Sequence, residues 1–223
     1  MNQEQALSLL KETKLVAILR GIPVKQATDI ATALYDGGVR VLEFTFDHDD
    51  PDCVAHNCQR IRAVKKIFGD EMVVGCGTAL TVQEVEASVE AGGQIVISPN
   101  VDVSVIAKTK ALGAISMPGA LTPTEIVMAY NAGADIVKLF PAGTLGVPYI
   151  KAVRGPLGYI PMSAVGGVRP ETIADFLNAG VCGFGVGGEL VKKEFVRSGD
   201  MNALTSRARE FVHAIEQWEV NRS

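Results

Sequence analysis

Along the chain, segments with an apolar residue every three or four positions alternate with short, mostly apolar runs. Val54, Cys58, Ile61, Val64 and Phe68 form one helical stripe, and Leu204, Ala208, Phe211, Ile215 and Trp218 form another. The short runs fall at 15–19, 41–44, 72–75, 95–98, 114–117, 136–139, 160–164 and 183–186. Each is too short for a helix and does not alternate apolar with polar, which predicts strands buried on both faces in a parallel sheet. The joint between helix and strand repeats as well. Glycine stands there in Asp36-Gly37-Gly38, Ala91-Gly92-Gly93, Leu112-Gly113, Ala132-Gly133 and Ala179-Gly180, where a left-handed residue can release the chain from a helix. Helix starts are marked by Thr81 with Glu84 three residues on, by Thr122 before Pro123, and by Pro170. No linker or low-complexity stretch interrupts the pattern. Eight strand–helix units predict a single (β/α)8 TIM barrel domain over residues 1–223, with an open doubly wound sheet as the alternative.

Composition narrows the partners. Of 223 residues 48% are hydrophobic and 21% charged, which opposes disorder. A net charge of −4 makes nucleic acid and anionic membrane surfaces poor partners, since both attract clustered Lys and Arg. No apolar run approaches the roughly 18 to 20 residues that span a bilayer. The opening Met1-Asn2-Gln3-Glu4-Gln5 lacks the basic stretch and apolar core of a secretion signal, and the four cysteines form no Cys-x-x-Cys pair. These features predict a cytoplasmic protein with reduced thiols. Asp47, His48, Asp49, Asp50 and His56 are metal-ligand types, but no second histidine cluster completes a set, so no metal is expected.

In a barrel, chemistry belongs at the C-terminal ends of the strands. Lys138 is the odd residue there, set inside Ile136-Val137-Lys138-Leu139-Phe140. An inward lysine loses hydration as an ammonium, its pKa falls, and it becomes an amine nucleophile toward a ketone. The plainer alternative is a buried stem whose head reaches water. Glu43, at the end of the second strand, can shuttle protons or simply balance Arg20 or Lys138. Gly77 and Thr78 offer an open backbone and a hydroxyl for a small carboxylate, or an ordinary helix-leading turn. Arg20 can clamp an anion or form a rim salt bridge. Gly166 and Gly167 follow the seventh strand and Gly187 and Gly188 the eighth, where barrels hold phosphate on backbone amides, or where tight turns close the barrel.

Together the motifs Arg40-Val41-Leu42-Glu43, Gly75-Cys76-Gly77-Thr78, Ile97-Ser98-Pro99-Asn100, Met117-Pro118-Gly119, Val137-Lys138-Leu139-Phe140-Pro141 and Val165-Gly166-Gly167-Val168 resemble the class I aldolases of 2-keto-3-deoxy-6-phosphogluconate and 4-hydroxy-2-oxoglutarate. The resemblance covers nearly the whole chain. It implies a Schiff base on Lys138, acid/base catalysis by Glu43, a pyruvate carboxylate held near Thr78, and a pocket lined by Pro99 and Phe140. It also implies a keto-acid substrate, a homotrimer, no metal and no cofactor, with the aldehyde's phosphate in the two late glycine loops. Three positions depart from the pattern: Asp47 stands where many members have Arg, Val165 where they have Thr, and Gly188 where they have Ser. The two lost hydroxyls and the nearby Glu189 lead us to expect weak discrimination for a phosphorylated substrate. An isomerase or epimerase of phosphosugars, and a binding protein derived from the same fold, are the alternatives from other classes.

Overall fold

The computed structural model describes residues 1–222. Its elements run α1 (Gln3–Thr13), β1 (Leu15–Leu19), α2 (Ala27–Asp36), β2 (Val41–Thr45), α3 (Cys53–Phe68), β3 (Val73–Gly77), α4 (Val82–Glu90), β4 (Ile95–Ile97), α5 (Val103–Ala111) and β5 (Ile115–Met117). They continue with β6 (Gly119–Ala120), α6 (Pro123–Asn131), β7 (Val137–Leu139), α7 (Ala142–Leu157), β8 (Met162–Val165), α8 (Ile173–Asn178), β9 (Gly183–Val186), α9 (Lys193–Ser198) and α10 (Met201–Val220). All strand pairs are parallel, in the order β5-β4-β3-β2-β1-β9-β8-β7-β6. The two ends of that order, β5 and β6, are consecutive in the chain and separated only by Pro118. The sheet therefore closes on itself, and the expected α/β barrel of eight staves is present, the fifth stave broken in two. Proline has no N–H to give to a ladder, which accounts for the break, while its carbonyl still accepts from the Lys138 amide at 2.9 Å.

The pleat separates two cores. One strand phase (Leu15, Ala17, Leu42, Phe44, Val74, Cys76, Val137, Leu139, Met162, Phe184) packs outward against the helices. The other phase (Val16, Val41, Val73, Ile95, Ile97, Ile115, Met117, Ile136, Val165) fills the lumen. Ala6 and Leu10 of α1 join the lumen cluster, and Gln3 donates to the Ala114 carbonyl at 3.0 Å. Helix α1 thus plugs the N-terminal end and leaves only the C-terminal end open.

Gly38, Gly92, Gly113, Gly133 and Gly180, one at each expected joint, have φ between 73° and 102°. Both threonine starts carry full capping boxes, Thr81 with Glu84 and Thr122 with Glu125. Pro170 opens a single 3-10 turn, and α8 begins only at Ile173. Two expectations need correction. The seventh stave starts at Met162 rather than 160, because Ile160 bonds back to Leu157 in the preceding turn and Pro161 cannot enter the ladder as a donor. Val54 is exposed, since the buried stripe of α3 starts a turn later, at Asn57 and Cys58. No helix among the described residues is long and apolar enough to cross a membrane.

Candidate active site

At the open end of the barrel lies a cavity of about 220 Å³ lined by Ile18, Arg20, Glu43, Thr78, Pro99, Lys138, Phe140, Val165 to Val168 and Gly185 to Glu189. Residues from several staves reach it because they share the lumen phase. Register pairs Ile18 with Glu43 on neighbouring strands, and Lys138 lies between Gly119 and Ser163. Lys138 is 8% exposed and Glu43 1%, so the barrel has a buried amine and a buried carboxyl on different staves facing one lumen.

Burial sets their electrostatics. Desolvation pulls the Lys138 pKa below the usual lysine range, and Arg20 pushes the same way, while the Glu43 charge opposes both. Desolvation raises Glu43 above the usual carboxylate range, opposed by Lys138 and Arg20. Glu43 Oε2 has no hydrogen-bond partner. An unpartnered buried carboxylate oxygen costs stability and is available to a ligand's proton or hydroxyl. The Lys138 ammonium nitrogen lies 5.2 Å from the centre of the Phe140 ring, itself 42% exposed at the rim.

The cost of holding these groups dry gives a first expected result. For Lys138, the folded pKa lies below the unfolded one, so the penalty is present at neutral pH, declines as the pH rises past the lowered folded pKa and is gone above the ordinary lysine range. For Glu43, the folded pKa lies above the unfolded one, so its penalty is also present at neutral pH and fades on acidification. The double variant Lys138→Met/Glu43→Gln removes both at once and is expected to gain about 1 to 4 kcal/mol of stability at pH 7, read from thermal or denaturant unfolding. A double variant less stable than the parent would contradict this.

Each expected site residue has a definite place. Arg20 Nη2 is 3.4 Å from the Thr78 hydroxyl, and Thr78 has a φ of 57°, a left-handed conformation rare outside glycine. Gly77 does not line the cavity. A Cβ there would collide with the Glu43 carboxylate, so its missing side chain makes room for that group. Gly166, Gly167, Gly187 and Gly188 all reach the cavity, and the amides of Gly167, Gly188 and Glu189 donate to no protein acceptor among the described residues. Ile18 also lines it, and the reading of the chain did not single it out. It sits two residues before Arg20 on the same strand phase, the signal that could have found it.

The departures resolve unequally. Asp47 is exposed, lies outside the cavity and accepts from the Asp49 amide at 3.4 Å, so it does not repel an anion within. Glu189 does line the cavity, with its carboxylate 3.8 Å from the Arg207 guanidinium. His48 pairs with Glu84 and His56 with Asp50, each at 2.7 Å, and no group of three or more metal-ligating side chains converges among the described residues.

A parallel barrel with a depressed-pKa lysine and a raised-pKa carboxyl at its open end is equipped for carbonyl chemistry on a small acid. Comparison with known proteins defines the class: residues 7–207 match the family model for KDPG and KHG aldolases. Over 182 residues, 81% of this chain and 83% of the relative, the chain is 37% identical to a probable 2-dehydro-3-deoxy-6-phosphogalactonate aldolase of Rhizobium meliloti. It is 32% identical to the KHG/KDPG aldolase of Escherichia coli over 93% of this chain and 94% of that one. A solved structure described as native KDPGal superposes with a TM-score of 0.82 at 33% identity, covering 92% of this chain and 95% of the other. The chain belongs to the KDPG and KHG aldolase family, and it is an aldolase, a carbon–carbon lyase.

Proposed function

We propose that the protein is a class I aldolase that reversibly cleaves a 4-hydroxy-2-keto acid to pyruvate and an aldehyde, with Lys138 as the imine-forming amine and Glu43 as the acid/base. The observation that carries this reading is Lys138 itself, the one lysine among the described residues buried to single-digit exposure, facing the buried Glu43. Neutral Lys138 attacks the C2 ketone, and Glu43 moves protons through the carbinolamine until water leaves. The protonated imine accepts the electron pair of the C3–C4 bond as the C4 hydroxyl loses its proton and the aldehyde departs. Protonation of the enamine and hydrolysis release pyruvate and regenerate the amine. The iminium is the electron sink, so the scheme requires no metal or organic cofactor. Thr78 and the adjacent backbone receive the keto acid's carboxylate beside Arg20, and Pro99 and Phe140 form the wall. Four free thiols and the acidic composition support a cytoplasmic location.

For the substrate, similarity to a probable 2-dehydro-3-deoxy-6-phosphogalactonate aldolase of Rhizobium meliloti at 37% identity and to the 2-dehydro-3-deoxy-6-phosphogalactonate aldolase of Escherichia coli at 35% supports a phosphorylated six-carbon keto acid. On the late glycine loops only backbone amides can donate to a phosphate, because Val165 and Gly188 supply no hydroxyl. A hydrogen bond to a charged group is worth roughly 1.5 to 3 kcal/mol. With two such donors gone, kcat/KM for the phosphorylated keto acids is expected to exceed that for 4-hydroxy-2-oxoglutarate by less than about 10³-fold, roughly 4 kcal/mol. Pyruvate release from 2-keto-3-deoxy-6-phosphogalactonate, its gluconate epimer and 4-hydroxy-2-oxoglutarate on one preparation tests both parts. No pyruvate from any of the three would reject the activity, and a larger ratio would show that amides alone suffice.

A homotrimer remains our reading of the assembly. Leu121, Met128, Tyr130 and Tyr159 are large apolar side chains exposed on and around α6 and the turn after α7, with the two tyrosine rings edge-on at 5.6 Å. Such a patch favours burial against another copy. Light scattering is expected to give three times the 23.6 kDa chain mass, and a monomeric mass at micromolar concentration would refute it.

A further inference from the structure

Beside the catalytic cavity lies a second depression of about 280 Å³, lined by Arg20, Gly21, Ile22, Val191, Lys193, Val196 and Arg197. Three of those seven residues are cations and none is an acid, in a chain whose net charge is −4. Among the described residues, none of the three forms an ion pair, and the one side-chain hydrogen bond among them is from Arg20 to the Thr78 hydroxyl. Glu43, within the catalytic cavity, acts on Arg20 through space, while Glu194 pairs with Lys192 at 3.9 Å and Glu189 with Arg207, so no acid faces Lys193 or Arg197 in the depression.

The walls are tied in place. Arg60 Nε donates to the Ile22 carbonyl at 2.7 Å, and Gln26 Nε2 donates to the Val196 carbonyl at 3.4 Å, which pins the two sides of the depression to each other through the loop after β1. Ile22 and Val191 are buried and give the floor low polarity. Arg20, Lys193 and Arg197 are exposed at the mouth, and three like charges lining one depression over an apolar floor favour an anion there. Two guanidinium forks and an ammonium suit a tetrahedral dianion better than a single carboxylate.

We propose that this depression is a phosphate-binding site, distinct from the glycine loops, that takes a phosphomonoester dianion on Arg20, Lys193 and Arg197. Arg20 lines both spaces, so occupancy here is linked to keto-acid binding in the catalytic cavity. Phosphate binding here is independent of the imine chemistry at Lys138. The phosphate comes either from the substrate's own far end or from a separate phosphorylated metabolite.

The test begins with the ligand-free protein titrated with inorganic phosphate and with glycerol 3-phosphate, followed by calorimetry and by the amide resonances of Gly21 and Val191. Binding is expected to shift both resonances and to weaken with added salt. It should weaken by about tenfold or more in Lys193→Gln/Arg197→Gln, since each removes a charge-assisted bond. A rise in KM of that variant for the phosphorylated keto acid alone, with 4-hydroxy-2-oxoglutarate unaffected, identifies the substrate's phosphate as occupant. Unchanged KM for both substrates, together with loss of a change in KM that added inorganic phosphate is expected to cause in the parent, identifies a separate phosphomonoester. Gly21 and Val191 resonances that stay still in the parent protein, or equal phosphate affinity in parent and variant, would overturn the proposal. Because this arm measures binding without turnover, it stands or falls apart from pyruvate release.

Discussion

Pyruvate followed by borohydride is expected to leave one reduced adduct per chain, on the peptide that carries Lys138. The amine sits in an 8% exposed position where desolvation favours its neutral form, and a neutral amine is the nucleophile that a ketone requires. Exposed lysines stay charged in water near neutral pH and compete poorly. Lys138→Met should abolish the adduct and reduce kcat/KM by at least about 10⁴-fold, ~5 kcal/mol of barrier. The fold should survive, because methionine is of similar length and the site welcomes an apolar chain. Intact mass and peptide mapping read the first outcome and pyruvate release the second. An adduct on Lys14, Lys25 or Lys151 would remove Lys138 from the mechanism.

Glu43→Gln is expected to slow turnover by about 10² to 10⁴-fold while changing pyruvate affinity far less, the signature of a positioned acid/base. The variant has a second consequence that a merely structural carboxylate would share only in part. The Glu43 charge now raises the Lys138 pKa against desolvation. Without it the amine loses its proton at lower pH. The rising limb of the pH profile for imine formation should therefore move to more acidic pH in the variant, even as the maximal rate falls. Near-normal turnover in Glu43→Gln would leave the carboxyl a packing role only. A rising limb displaced toward alkaline pH would reverse the assigned electrostatics.

Much of this was legible from the chain. The strand runs are short and mostly apolar because both faces of each strand are covered, and that pattern indicated a parallel sheet. Glycines at helix ends were legible because only they take a φ near 100° without strain, as Gly38, Gly92, Gly133 and Gly180 do. Lys138 and Glu43 stood out because a charge inside an apolar run has no local explanation. Their partnership had none of that local signature. It depends on two staves being curled toward one lumen, which no spacing of 95 residues encodes.

The physical division follows from range. Period, turn chemistry and caps act over a few residues, so the sequence by itself determined the order of elements, their ends to within a few positions and the phase of each strand. Closure of the barrel depended on both halves of one stave, Ile115–Met117 and Gly119–Ala120, each finding a different neighbour. The plugging of the N-terminal end by Ala6 and Leu10, the space that Gly77 leaves for Glu43, and the turning of Asp47 away from the cavity are likewise contacts across the tertiary fold. Only the assembled barrel decided them, because desolvation, and with it the displaced pKa values of Lys138 and Glu43, belongs to the surrounding residues rather than to the side chain.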